Sequence, residues 1–190
     1  MTDPTVRTDE TTRDVEDSEE VPALGYTLWA VLRRNPDRAL VLDGSEVVIV
    51  ARSGVYGAPS RVLAYGLHLG ARLPAHATST GRMLLSALSS AELAHWLKGR
   101  TLARLTPHTV TQTTVLRRCL AQVRKDDHCI ANEEHELGVQ ALAVPLRDMR
   151  GRTVAALNVV LSGAHRSDDA LRRDLLPLLY EAAREVRALL

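Results

Sequence analysis

Val139-Gln140-Ala141-Leu142-Ala143-Val144-Pro145-Leu146 and Thr153-Val154-Ala155-Ala156-Leu157-Asn158-Val159-Val160-Leu161 are two apolar runs joined through Asp148-Met149-Arg150-Gly151. The runs are strand-length, rich in β-branched residues and separated by a turn signal, so they read as a β-hairpin. Their apolar residues do not alternate cleanly, which predicts a strand pair covered on both faces. An antiparallel pair with cover on each side needs helices before and after it, and the flanking sequence supplies them. Thr113 or Thr114 opens an amphipathic helix with Val115, Leu116, Cys119, Leu120 and Val123 on one face and Arg117, Arg118, Gln122 and Arg124 on the other. Ser167-Asp168-Asp169 caps a C-terminal helix that Pro177 should kink, because proline removes a backbone donor.

Further upstream, Thr78 or Ser79 starts a helix through Met83, Leu84, Leu85 and Leu88. Ser89 with Glu92 forms a capping box for the next one, which stops at Gly99. Ala39–Leu42 and Val47–Val50 flank Asp43-Gly44 and read as a second hairpin. Ser53–Ser60 reads as a loop, Arg61–Leu67 as a third strand, and the residues from Pro22, with Leu24, Leu28, Val31 and Leu32 at helical spacing, as a short helix ending near Pro36. The order is that of an α+β domain: a mainly antiparallel sheet flanked by helices.

Composition narrows the function classes. The 190 residues contain no Phe, two Trp and four Tyr, which leaves few rings for stacking the bases of a single-stranded nucleic acid. No run approaches the roughly 18 apolar residues of a membrane span, and the polar start Met1-Thr2-Asp3-Pro4 argues against a secretory signal. Two cysteines, Cys119 and Cys129, fit free thiols in a cytoplasmic protein better than a disulfide scaffold. The net charge of +1 conceals an acidic start: residues 1–20 hold eight acids against Arg7 and Arg13. That segment is expected to be a disordered tail, with residues 21–190 as the folded domain.

Chemistry-bearing groupings are sparse. Ser79-Thr80-Gly81 lacks the flanking glycine of a nucleophile elbow. Cys129 with His128 and His135 is a weak thiol–imidazole candidate, and Cys129, Glu133, His135 and His76 have no metal-ligand spacing. The informative segment is Gly70-Ala71-Arg72-Leu73-Pro74-Ala75-His76-Ala77-Thr78-Ser79-Thr80-Gly81-Arg82, where small hydroxyl residues open a helix after a proline-fixed turn. A helix start offers unpaired N–H groups and a positive dipole end, which suit a carboxylate. Equally, Ser79 and Thr80 would serve as caps and Gly81 as a close-packing residue.

That segment resembles the effector-binding domain of the IclR family of bacterial transcription regulators. Three more motifs follow in the family's order: Thr106-Pro107-His108-Thr109-Val110-Thr111; Glu133-Glu134-His135-Glu136-Leu137-Gly138-Val139 with Ala143-Val144-Pro145-Leu146; and Gly151-Arg152-Thr153-Val154-Ala155-Ala156-Leu157-Asn158-Val159. The resemblance runs from about residue 22 onward and is greatest to the branch responding to p-hydroxybenzoate, protocatechuate or β-ketoadipate. It implies a GAF-like fold, no catalytic residue, metal or cofactor, and self-association as a dimer. It also implies a pocket between the sheet and the Thr78–Leu88 helix at Val62, Tyr65, Leu73, Ser79, Thr80, Ala131, Val139, Ala141, Asn158 and Val160, with His76 and Glu133 nearby. The residues before Pro22 do not resemble the family's winged helix-turn-helix, so no specific operator binding by this chain is expected. Two alternatives remain beside a ligand sensor: an enzyme on the same scaffold with His76 or His135 as base, and a silencing partner of full-length regulators.

Overall fold

A computed structural model of the chain describes residues 25–29, 33–35, 38–41, 44–52, 68, 70–163 and 165–187. Its centre is a six-stranded, wholly antiparallel sheet in the order β5-β4-β1-β8-β7-β6. The strands are β1 (Gly25–Trp29), β4 (Glu46–Arg52), β5 (Arg72–Pro74), β6 (Cys129–Asn132), β7 (Val139–Arg147) and β8 (Thr153–Ser162). Two short strands, β2 (Arg33–Asn35) and β3 (Arg38–Val41), pair with each other in a separate ribbon.

The β7–β8 hairpin is the frame on which the rest is built. Asp148 turns the chain by accepting the N–H groups of Arg150 (2.9 Å) and Arg152 (3.0 Å) on one carboxylate oxygen, and Gly151 takes the left-handed conformation at φ 76°. Its register pairs Ala141 with Val160, Ala143 with Asn158 and Pro145 with Ala156 on one face. Leu142–Val159, Val144–Leu157 and Leu146–Ala155 fall on the other. The leucine-rich face packs on α4 (Asp168–Asp174) and α5 (Leu176–Arg187), burying Leu171, Leu175 and Leu179. The expected kink appears as a break at Leu175, with Pro177 in the first turn of α5, where a missing N–H costs least.

The alanine-rich face lies under α1 (Ser79–Ser86), which packs against β7, β8 and α3 (Thr113–Asp126). Every residue of α1 is buried. Its N-cap is Thr78, whose Oγ1 accepts the Gly81 N–H at 3.2 Å. Arg124 of α3 closes its far end by donating to the carbonyls of Ser86 (2.8 Å) and Leu88 (2.9 Å). The capping box of α2 (Ser90–Leu97) forms as expected, with Ser89 and Glu92 bonding reciprocally.

Two local expectations are corrected. Residues 25–29 form a strand, not part of a helix, because β1 is laddered to β4 on one side and β8 on the other. Tertiary pairing overrides the loose helical spacing, and Tyr26, Thr27 and Trp29 favour strands in any case. At Gly44 the chain does turn, at φ 68°, yet β3 and β4 do not pair across it. Both edges of β4 are occupied by β1 and β5, and β3 joins β2 instead. Residues 1–20, the loop Ser53–Ser60, the strand expected at Arg61–Leu67, and with it Val62 and Tyr65, lie outside the described residues.

Candidate ligand-binding cavity

A cavity opens where the first turn of α1 meets the alanine-rich face, enclosing about 410 Å³ with its open mouth included. Small side chains make the room. Ala131 of β6, Ala141 of β7 and Val160 of β8 stand in one cross-strand row, with Ala141 opposite both of the others. Leu73 and Val139 complete the apolar wall, and Ala77, Thr78, Ser79 and Thr80 form the helix-start wall. Asn158 enters from the middle of β8, and Glu134 and His135 enter from the turn between β6 and β7.

Eight of the ten positions named from the sequence therefore share one cavity: Leu73, Ser79, Thr80, Ala131, Val139, Ala141, Asn158 and Val160. The other two, Val62 and Tyr65, are among the residues not described. His76 and Glu133 do not line it. His76 is 5% exposed, its Nε2–H donates to the Ala103 carbonyl at 2.9 Å, and it lines a separate cleft with Trp96 and Ala103. Burial pushes its pKa below the ordinary imidazole value, consistent with a neutral ring. Glu133 sits at φ 54° and uses its carboxylate to accept the Gly138 N–H at 2.7 Å, shaping the β6–β7 turn.

Two polar atoms on the cavity wall have no partner: Ser79 Oγ and Asn158 Oδ1 are buried without a hydrogen bond. Leaving a buried polar atom unpaired costs about 1–3 kcal/mol, so both are expensive as they stand. The N–H groups of Ser79 and Thr80 belong to the first helical turn, where no preceding carbonyl of the helix can reach them.

The sequence reading missed Glu134 and Arg82. Arg82 is 4% exposed inside the buried helix α1. Its two terminal nitrogens grip the Glu134 carboxylate as a fork, and its Nε donates to the His76 carbonyl at 2.8 Å. Burial works against its charge, while the bond to Glu134 and that carboxylate's field outweigh it and hold the pKa above the usual value. Glu134 also accepts the Val110 N–H at 3.2 Å, and its backbone carbonyl accepts the Thr109 hydroxyl at 2.7 Å. Thr106 Oγ1 donates to the Glu133 carbonyl at 2.6 Å. The Thr-Pro-His-Thr motif is thus a clamp on the Glu-Glu motif. The available signal was Arg82 itself, a cation in an otherwise small and apolar helix, which requires a buried acid.

Cys129 is 2% exposed in β6, and burial pushes its thiol up to about 12, far from a nucleophile's range. Among the described residues, no group of three or more His, Cys, Asp or Glu side chains is placed to hold a metal ion. No helix among them is long and apolar enough to cross a membrane.

The sequence and fold have known relatives. Residues 39–188 match the family model described as the bacterial transcriptional regulator IclR C-terminal. The chain is 46% identical over 151 residues to the Pca operon regulatory protein of Acinetobacter baylyi, covering 80% of this chain and 54% of that protein. It is likewise 46% identical over 151 residues to the p-hydroxybenzoate hydroxylase transcriptional activator of the same organism, at 79% and 56% coverage. The chain spans about half the length of these curated relatives. Among solved structures, the inducer-binding domain of the PobR transcription factor from Acinetobacter, a double mutant in complex with 3-hydroxybenzoic acid, superposes with a TM-score of 0.77. It is 42% identical, with 89% of this chain and 90% of that one covered. The C-terminal domain of the Escherichia coli regulator KdgR matches with a TM-score of 0.69 at 27% identity, with 87% and 86% covered. These relatives are transcription regulators, and the chain belongs with them: it is a member of the IclR family, and residues 39–188 form its effector-binding domain.

Proposed function

We propose that the cavity binds a carboxylate-bearing aromatic acid, or an acid like β-ketoadipate, and reports its presence without changing it. The supporting observation is the pair of unpartnered buried atoms, Ser79 Oγ and Asn158 Oδ1, on the walls of one cavity. The ligand's carboxylate accepts from the Ser79 and Thr80 hydroxyls and the first N–H groups of α1, where the positive end of the helix dipole adds to them. The Asn158 amide, able to donate and accept, fixes a ring hydroxyl or a second polar end. Leu73, Ala131, Val139, Ala141 and Val160 cover the ring or methylenes. The names of the relatives support an aromatic acid: one is a p-hydroxybenzoate hydroxylase transcriptional activator and another is held with 3-hydroxybenzoic acid.

Calorimetry with p-hydroxybenzoate, protocatechuate and β-ketoadipate tests the assignment. Saturable binding by at least one is expected, with the ligand recovered unaltered by chromatography. If none binds, the ligand class is wrong; if a ligand is consumed, the domain is an enzyme. As a cytoplasmic regulator domain the chain self-associates as a homodimer, which light scattering at micromolar concentration checks. Full-length IclR-type regulators are the natural macromolecular partners, and a pull-down against one tests that.

A further inference from the structure

The cavity wall carries more free hydrogen-bonding groups than a carboxylate and one hydroxyl would use. Two of its polar side chains are spent on the protein itself. The Thr78 hydroxyl donates to the Pro74 carbonyl and accepts the Gly81 N–H, both at 3.2 Å. The Glu134 carboxylate is held by Arg82 and the Val110 N–H. Ser79 and Thr80 belong to the helix start, which suits the ligand's carboxylate. Two uncharged groups are left on the wall, Asn158 and His135. Asn158 Oδ1 is buried without a partner. His135 is half-buried, and among the described residues its ring has no hydrogen-bond or ion-pair partner. By contrast, the rings of His76 and His128 are bonded to the carbonyls of Ala103 and Asp126.

The turn that carries His135 is closed by its neighbours. The Glu133 N–H donates to the Val139 carbonyl at 2.8 Å, and the Val139 N–H to the Glu136 carbonyl at 3.3 Å. The Glu134 carbonyl accepts the Thr109 hydroxyl at 2.7 Å. The backbone at His135 is thus fixed while its imidazole has no task in the fold. Burial pushes the ring's pKa down against the opposing charge of Glu136, so near neutral pH it offers one donor and one acceptor. Asn158 lies deeper on the same sheet. The pairs Val139–Ser162, Ala141–Val160 and Ala143–Asn158 follow one another along the hairpin, and four residues of strand span about 13 Å. His135 enters beyond Val139, so the two groups address different ends of a ligand. We infer that His135 is a ligand-recognition residue that bonds a second hydroxyl beyond the one at Asn158, so that the cavity favours dihydroxybenzoates over monohydroxybenzoates. The inference rests on the proposed aromatic-acid site and adds to it a residue and a ligand preference.

Calorimetry on the purified chain with p-hydroxybenzoate, 3-hydroxybenzoate, protocatechuate and 3,5-dihydroxybenzoate tests it. The wild type should bind the better dihydroxybenzoate at least about fivefold more tightly than the better monohydroxybenzoate, the worth of one hydrogen bond. In His135→Leu that advantage should vanish while the monohydroxybenzoate affinity stays close to the wild-type value. His135→Gln supplies a donor and an acceptor again and should recover much of the advantage. A wild type without a dihydroxybenzoate preference overturns the inference, as does a folded His135→Leu that keeps it. Equal loss for all four acids would make His135 a support of the site rather than a reader of the ligand, and overturn it also. If His135→Leu does not fold, His135→Ala is read in the same way. Failure of all four acids to bind the wild type would instead bring down the aromatic-acid reading beneath it.

Discussion

A Cβ built on Gly81 would lie 2.2 Å from the carbonyl oxygen of Ala75 and 2.3 Å from its Cα. Two backbones therefore touch where α1 leaves the turn at Ala75–Ala77, and this contact holds the helix start against the cavity. Gly81→Ala sets two effects against each other. Alanine's better helix propensity is worth about 1 kcal/mol, while overpacking against immovable backbone costs about 1–3 kcal/mol or more. The clash wins, because neither neighbour is a side chain that can swing away. Urea denaturation should show Gly81→Ala less stable than wild type; an unchanged or raised midpoint would mean that the turn yields freely.

Asn158 faces the cavity beside Ala143 and carries a buried oxygen that nothing satisfies. Asn158→Leu keeps the side chain's size and removes the unpaired group. Thermal stability should hold or rise, while affinity for the effector should fall by about 1–3 kcal/mol through a ligand group left unpaired. Melting curves and calorimetry on the same preparation check both halves. A loss of stability with affinity intact would show that Asn158 serves the fold.

How far the sequence carries can be read at particular residues. The β7–β8 hairpin and the α1 start were legible because Asp148–Gly151 and Thr78–Gly81 act through local chemistry: an Asx turn and a cap. Eight cavity positions followed from motif resemblance, which locates residues without giving the forces on them. The strand at Gly25–Trp29 and the divorce of β3 from β4 were not legible, since both depend on which distant strand claims an edge. Glu134 was hidden for another reason. Neighbouring acids Glu133 and Glu134 look alike in sequence, and only the left-handed backbone at Glu133 sends one into a turn and the other to Arg82.

The two thiols should behave differently. Cys129 is buried at the start of β6, with its thiol pushed up to about 12, while Cys119 on α3 is partly exposed. A thiol reagent applied to the native chain near pH 8 should modify Cys119 within the time that leaves Cys129 untouched, and urea should release the second. Rapid modification of both in the native state would require opening of β6.

Stability should fall as the pH drops below that of the free imidazole. Burial is the main cause that lowers the pKa of both His76 and His135, aided at His76 by the Arg82 charge and opposed there by the Ala103 bond and by Glu134. In the unfolded chain each ring takes up its proton near pH 6.5. Between that value and the lower folded pKa, the unfolded state binds more protons, so lowering the pH favours unfolding. The stabilisation is complete above about pH 6.5 and is lost toward the folded pKa. Urea midpoints at pH 7.5 and pH 5.5 measure the loss. Glutamine at position 76 offers a non-titrating N–H for the Ala103 carbonyl, so His76→Gln should lose less than wild type over the same interval. If the two lose equally, His76 does not sense the acid, and the effect belongs to His135 or to the carboxylates.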